Sequence, residues 1–232
     1  GQRFDIQQIT AAAHSAGAIA GFDLAHAIGN IELELHDWNV DFAAWCSYKY
    51  LNSGPGGVGG IFVHERHGER TDLPRFAGWW GNDEATRFEM KKGFRPARGA
   101  EGWQISNAQV FQMAALKSSL TVFDKVELSN LYTKRDELTA YLKFLLDGII
   151  GDFPNLPIRI ITPDNLQDRG CQLSLLVEKQ GRDLYHYLVE KGVIVDWREP
   201  NVIRIAPVPL YNSFNDVYTL TTIIREYSAA QF

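Results

Sequence analysis

The feature that most restricts what this chain can fold into is an apolar run, Val40-Asp41-Phe42-Ala43-Ala44-Trp45-Cys46. It leads through Ser47-Tyr48 to Lys49 and on into the glycine-rich turn Gly54-Pro55-Gly56-Gly57. The run predicts a buried strand, and that strand delivers a single lysine, flanked by Tyr48 and Tyr50, to a tight turn. Partial removal of water around an amine favours its neutral form, and a neutral amine can condense with an aldehyde. The plain alternative is a strand-end lysine that reaches back to solvent along its methylene stem. The segment alone leaves both readings standing.

Composition narrows the class. The chain has 232 residues, 45% hydrophobic and 22% charged, with a formal net charge of -5. That suits a globular protein with a sizeable core and more than one domain. Mild acidity argues against a nucleic-acid partner, because phosphate neutralisation needs clustered Lys and Arg. The two cysteines, Cys46 and Cys171, both sit in apolar runs and read as buried free thiols of a reducing compartment. No apolar run has the length of a membrane span and no signal-peptide pattern opens the chain, so the cytosol is the expected location. The start, Gly1-Gln2-Arg3-Phe4-Asp5, lacks an initiating Met and runs straight into a helical pattern, as if the chain were cut in mid-domain.

Taken in order, Asp5 predicts the N-cap of a helix over Ile6–Ser15, with Ile6 and Ile9 on one face and Gly17 as its stop. Residues 18–23 read as a short strand ending on Asp23. Turns follow around Gly29-Asn30 and Asp37-Trp38-Asn39, then the lysine strand, then a further strand within Val58–His64. Residues 65–102 are irregular and rich in Gly, Arg and aromatics, with Gly78-Trp79-Trp80-Gly81 at their centre. So long a stretch without period is usually functional or forms an interface. A helix is expected after Asn107, with Val110, Phe111, Ala114, Ala115, Leu116 and Leu120 on one face. A longer one spans about Leu128–Ile150, striped by Leu131, Leu138, Leu142, Leu145 and Leu146. Strands at 158–161, 171–176, 193–196 and 202–206, with helices at 183–190 and 215–227, complete a small α+β layer. The fold class is therefore α/β followed by α+β, with the division placed between 1–124 and 125–232.

Several residues carry candidate chemistry. Asp23 and Lys49 both end predicted strands, where open α/β sheets place ligands. An acid that protonates a pyridine nitrogen and a lysine that captures an aldehyde are the two groups pyridoxal phosphate (PLP) chemistry requires. A turn or capping aspartate is the alternative for Asp23. His26, three residues on, is read as a structural histidine on its own sequence. The His64-Glu65-Arg66-His67 spacing does not match a zinc-binding helix, and metal is rejected. Gly54, Gly56 and Gly59 mimic a dinucleotide fingerprint but lead into a strand rather than a helix. Arg204, inside Val202-Ile203-Arg204-Ile205-Ala206, offers a planar fork suited to a carboxylate, unless it faces water from an edge strand.

Five segments together resemble the kynureninase family. They are Phe22-Asp23-Leu24-Ala25-His26-Ala27, Ser47-Tyr48-Lys49-Tyr50-Leu51-Asn52, Gly78-Trp79-Trp80-Gly81, Ile105-Ser106-Asn107 and Arg204 through Ser213. The resemblance covers essentially the whole chain but only the carboxyl-terminal half, or somewhat more, of such an enzyme. It implies part of a fold-type I PLP-enzyme large domain followed by a small carboxyl-terminal domain. It further implies that Lys49 carries PLP, that Asp23 pairs with the pyridine nitrogen, and that His26 lies beside them. Tyr48 would contact the phosphate and donate protons, and Arg204 would bind the substrate α-carboxylate. In a homodimer with shared sites, Trp79 would reach the neighbour's phosphate and Asn107 the substrate's aryl ketone. The implied reaction is hydrolysis of L-kynurenine or 3-hydroxy-L-kynurenine in tryptophan catabolism, yielding alanine and anthranilate or 3-hydroxyanthranilate. Asn107 favours the hydroxylated substrate. The family's amino-terminal phosphate-binding residues and ring-stacking aromatic have no counterpart here, so the missing amino-terminal half is an implied partner. Two rivals are a PLP lyase of the cysteine desulfurase type, which would need a mobile cysteine, and a non-catalytic dimerisation module.

Overall fold

The computed structural model describes residues 1–232, which form two compact units. The first comprises Asp5–Lys125. It opens with helix α1, Ile6–Ser15, whose N-cap Asp5 accepts a hydrogen bond from the Gln8 amide and which gives way to Gly17 at φ 74°. Ile6 is buried as expected, but Ile9 faces outward. Three short strands follow: β1 (Gly21–Asp23), β2 (Phe42–Cys46) and β3 (Gly59–Val63). β2 lies in the middle, parallel to β1 and antiparallel to β3. The parallel pairing needs the crossover supplied by residues 24–41, whereas β2 and β3 are joined by the glycine turn.

Side-chain alternation divides this sheet into two faces. Phe22, Ala43, Trp45 and Phe62 point into a core with Leu24 and Val40. Gly21, Asp23, Phe42, Ala44 and Ile61 point the other way, where Phe42 is 50% and Ile61 46% exposed. The lysine strand is thus buried on one face only, which corrects the expectation of a fully enclosed strand. The glycine fingerprint does lead into a strand, β3.

Residues 65–102 contain only a four-residue helix, α2 (Glu65–Gly68), before a 3-10 turn at Gly99–Trp103. Helix α3, Val110–Phe123, then forms as its pattern predicts. Its apolar stripe is not buried: Val110 and Phe111 are both largely exposed, and Leu120 is exposed too. Ser119 on α3 donates to the Leu51 carbonyl at 2.5 Å, tying the helix to the turn that carries Lys49.

The second unit, Val126–Phe232 with Gly1–Phe4, is a four-stranded antiparallel sheet under three helices. Its elements are α4 (Leu128–Asp152), β4 (Ile158–Ile160), β5 (Leu173–Val177), α5 (Gly181–Glu190), β6 (Asp196–Arg198), β7 (Val202–Ile205) and α6 (Phe214–Gln231). The strand order is β4-β5-β7-β6. Leu138, Leu142 and Leu146, one turn apart on α4, are essentially inaccessible and pack with Leu173, Leu175, Ile203 and Ile224. Each such side chain contributes roughly 1.5–3 kcal/mol by leaving water. Val193-Ile194-Val195, expected as strand, instead links α5 to β6 without ladder pairing. Gly192 at φ 81° ends α5, and pairing begins only at Asp196.

Candidate functional site

The outer face of the first sheet is where chemistry-bearing side chains gather. Asp23, at the last position of β1, and Ala44 of β2 are register partners. Beyond β2 the chain turns through Ser47–Leu51, and that turn brings Tyr48 and Lys49 over the same face. An open cleft of about 580 Å³ results, lined among others by Asp23, Phe42, Cys46, Tyr48 and Lys49. Asp23 and Lys49 therefore line one cleft, Asp23 from the end of β1 and Lys49 from the turn after β2 rather than from a strand end. Parallel pairing of β1 and β2 is the reason, since it sets both carboxyl ends at one edge of the sheet.

The turn holding Lys49 is built by hydrogen bonding. Ser47 Oγ lies 2.7 Å from Ser53 Oγ and 2.5 Å from the Val58 carbonyl. Gly57 closes beside this pair, where a Cβ would stand 1.9 Å from Ser53 Oγ and 2.9 Å from Ser47 Oγ. Only the absence of a side chain allows the loop to return so closely.

Lys49 Nζ sits 3.0 Å from His26 Nε2. His26 is carried by the turn after β1, in which Asp23 Oδ1 accepts from the Ala25 amide at 2.8 Å. Its own carbonyl accepts from Asn30 Nδ2 at 3.0 Å. His26 thus touches the lysine rather than serving only the core. Lys49 itself is half-buried, not dry, because the sheet face beneath the cleft is open. The Tyr48 phenol is pushed up from its ordinary value, first by its hydrogen bond to and the charge of Cys46, then by burial and the Asp23 carboxylate.

Trp79 and Asn107 do not line this cleft. They lie on two segments that touch each other: a Cβ on Gly78 would stand 2.1 Å from Ile105 Cα. Trp79 meets Trp80 and Phe88 edge-on at 5.2 and 5.7 Å and remains 47% exposed, and Asn107 is exposed. Arg204 belongs to the second unit, on β7. That strand is interior, so the edge-strand alternative is set aside.

Sequence reasoning missed one group. Asp41, 4% exposed just before β2, accepts from the Ala20 amide at 2.7 Å. Its carboxylate is also reached by His14 Nε2 at 2.8 Å, His67 Nε2 at 2.7 Å and Arg66 Nε at 3.1 Å. Burial alone would raise its pKa. The hydrogen bonds from His67, Ala20, Arg66 and His14 outweigh burial and hold the carboxyl well below the usual range. Asp41 thereby fastens α1 and α2 to the root of the lysine strand.

An amine, a carboxylate and a phenol around one cleft match the donor set that PLP calls for, so the residues fit that group. The fold agrees. A cysteine desulfurase from Thermococcus onnurineus NA1 superposes with a TM-score of 0.81 over 99% of this chain and 57% of its own, at 18% identity. A C-DES variant with glycine covalently linked to its PLP cofactor gives 0.64 over 86% of this chain and 49% of its own, at 19% identity. The fold is that of the fold-type I PLP enzymes, in part.

Sequence comparison is more particular. Residues 131–224 match the kynureninase C-terminal domain family. The kynureninase of Flavobacterium psychrophilum is 54% identical over 226 residues, and that of Nematostella vectensis 51% over 232 residues, each across 97% of this chain. The chain thus resembles kynureninases over nearly its full length and spans about half the length of these curated relatives, 53% and 50% respectively.

Proposed function

We propose that this chain provides the lysine-bearing part of a kynureninase, a PLP-dependent hydrolase that cleaves the Cβ–Cγ bond of L-kynurenine or 3-hydroxy-L-kynurenine. The observation that carries the reading is the convergence of Lys49, Asp23 and Tyr48 on one cleft within a chain that is 54% identical to a kynureninase. Lys49 would hold PLP covalently, Asp23 would keep its ring nitrogen protonated, and Tyr48 would meet its phosphate. Bound there, the cofactor supplies an electron sink for charge that develops at the substrate's α-carbon.

The residues then have distinct tasks. Lys49 Nζ, once free, takes the α-proton, and His26 Nε2 at 3.0 Å keeps that amine aimed into the cleft. Tyr48 Oη returns protons to the departing carbon as water adds to the γ-carbonyl. Arg204 receives the α-carboxylate, and Asn107 and Trp79, on their two adjoining exposed segments, serve the site of a second copy in a homodimer. Asn107 favours the 3-hydroxy substrate. The remaining half of the relatives' length supplies the rest of the phosphate site. No helix is long and apolar enough to cross a membrane, and we assign the enzyme to the cytoplasm.

A desulfurase reading is disfavoured by the thiols themselves. Cys171 is inaccessible, and Cys46, only partly buried and lining the cleft, is held on strand β2 rather than on a mobile loop, so neither is the mobile cysteine such chemistry needs. Addition of PLP to the protein is expected to produce a visible absorption band that Lys49→Ala abolishes, and 3-hydroxykynurenine is expected to release 3-hydroxyanthranilate. An unchanged band in Lys49→Ala would refute the assignment of the lysine. Sulfide release from cysteine, without an aromatic product, would refute the assignment of the reaction. A band that Lys49→Ala abolishes but that gives no turnover would support the non-catalytic module instead.

A further inference from the structure

Arg204 does not stand alone on its strand. Ile203 and Ile205 enter the core of the second unit, so alternation turns Arg204 to the opposite face of the sheet. Its register partner across β6–β7 is Asp196, and Arg204 Nε donates to Asp196 Oδ2 at 2.6 Å. The same oxygen lies 3.0 Å from Arg198 Nε. Arg204 is 21% exposed against 46% for Asp196, so the guanidinium is the more enclosed partner.

We propose that Asp196 is a positioning residue for carboxylate recognition by Arg204. A guanidinium presents its five N–H donors in a rigid plane. Asp196 takes the Nε donor and fixes the plane, which leaves the terminal amino groups, without protein partners, to receive a second carboxylate end-on. Arg198 reaches the same Asp196 oxygen at 3.0 Å, a second contact on the acid that orients Arg204. An exposed cross-strand pair acting only on stability would contribute no more than about 0.2–1 kcal/mol and would not discriminate among ligands. The inference rests on the reading of Arg204 as the α-carboxylate site.

The test compares L-kynurenine with its methyl ester, binding to each being measured by calorimetry on the full chain. The parent protein is expected to prefer the acid. Asp196→Ala should weaken acid binding about tenfold, the loss of one well-oriented charge-assisted contact, and leave the ester unchanged. Asp196→Asn, which keeps an oxygen acceptor at the same reach, should stay within about threefold of the parent. Equal weakening of acid and ester in Asp196→Ala would show a merely structural role and overturn the proposal. So would an unchanged acid affinity in Asp196→Ala, provided Arg204→Ala abolishes the preference. If the parent shows no preference, or Arg204→Ala keeps it, the reading of Arg204 itself fails.

Discussion

Replacing Asp41 by Asn removes one charge and almost no volume, and the structure allows the consequence to be worked out. Four donors converge on that carboxylate: the Ala20 amide, His14 of α1, and the adjacent Arg66 and His67 of α2. An amide oxygen could still accept from one or two of them, but its NH2 group would face donors. Hydrogen bonds to a charged group contribute about 1.5–3 kcal/mol each, and breaking a buried ion pair from one side costs about 3–5 kcal/mol. Because His14 and Arg66 retain partial access to water, the expected loss lies at the lower end, about 3 kcal/mol. Urea unfolding followed by tryptophan fluorescence measures it, since Trp38, Trp45, Trp79, Trp80 and Trp103 all belong to the unit that Asp41 fastens. The midpoint should fall with little change in slope. The pH dependence has a definite sign. Asp41 has a depressed pKa in the folded protein, so its stabilisation is present above the unfolded carboxyl value of about 3.9 and is lost as pH falls below it. The gap between parent and Asp41→Asn should therefore be level from about pH 5 upward and narrow below about pH 4. A gap under about 1 kcal/mol, or one that stays constant down to pH 2, would refute the reasoning.

Two further outcomes follow from the packing. Leu142→Ala, in the centre of the second unit's core, should cost about 2–5 kcal/mol in that unit's unfolding, read by circular dichroism. Gly57→Ala forces Ser53 and Ser47 apart and should slow PLP capture by Lys49 at least several-fold with only about 1–3 kcal/mol of destabilisation. Unchanged capture in stopped-flow absorbance would show that the serine pair does not govern the lysine turn.

Local signals were legible where they act over a few residues. Asp5 and Gly17 bound α1 because a cap and a left-handed stop are read at fixed offsets, and the leucine period of α4 points at its own core. That Asp23 and Lys49 come to one edge of the sheet was legible too, since parallel strands end there, although Lys49 sits in the turn beyond β2. Asp41 was not, because its partners lie 21 to 27 residues away and look, in the sequence, like ordinary polar positions. Val193–Val195 misled for a related reason: three consecutive apolar β-branched residues suit a strand, but ladder pairing is set by the neighbour strand, and β7 meets its partner only from Asp196. The α3 period gives the helix, but its apolar stripe is not a buried face: Val110 and Phe111 stay largely exposed.

The bare side of the first sheet has a consequence for reactivity. Phe42 and Ala44 floor the same hollow into which Lys49 and Asp23 project, so a lid laid over those apolar groups would also shut out the water that now bathes the amine. Completing the hydrophobic layer and priming the nucleophile would then be a single event, and the chain's chemistry would wait on its packing.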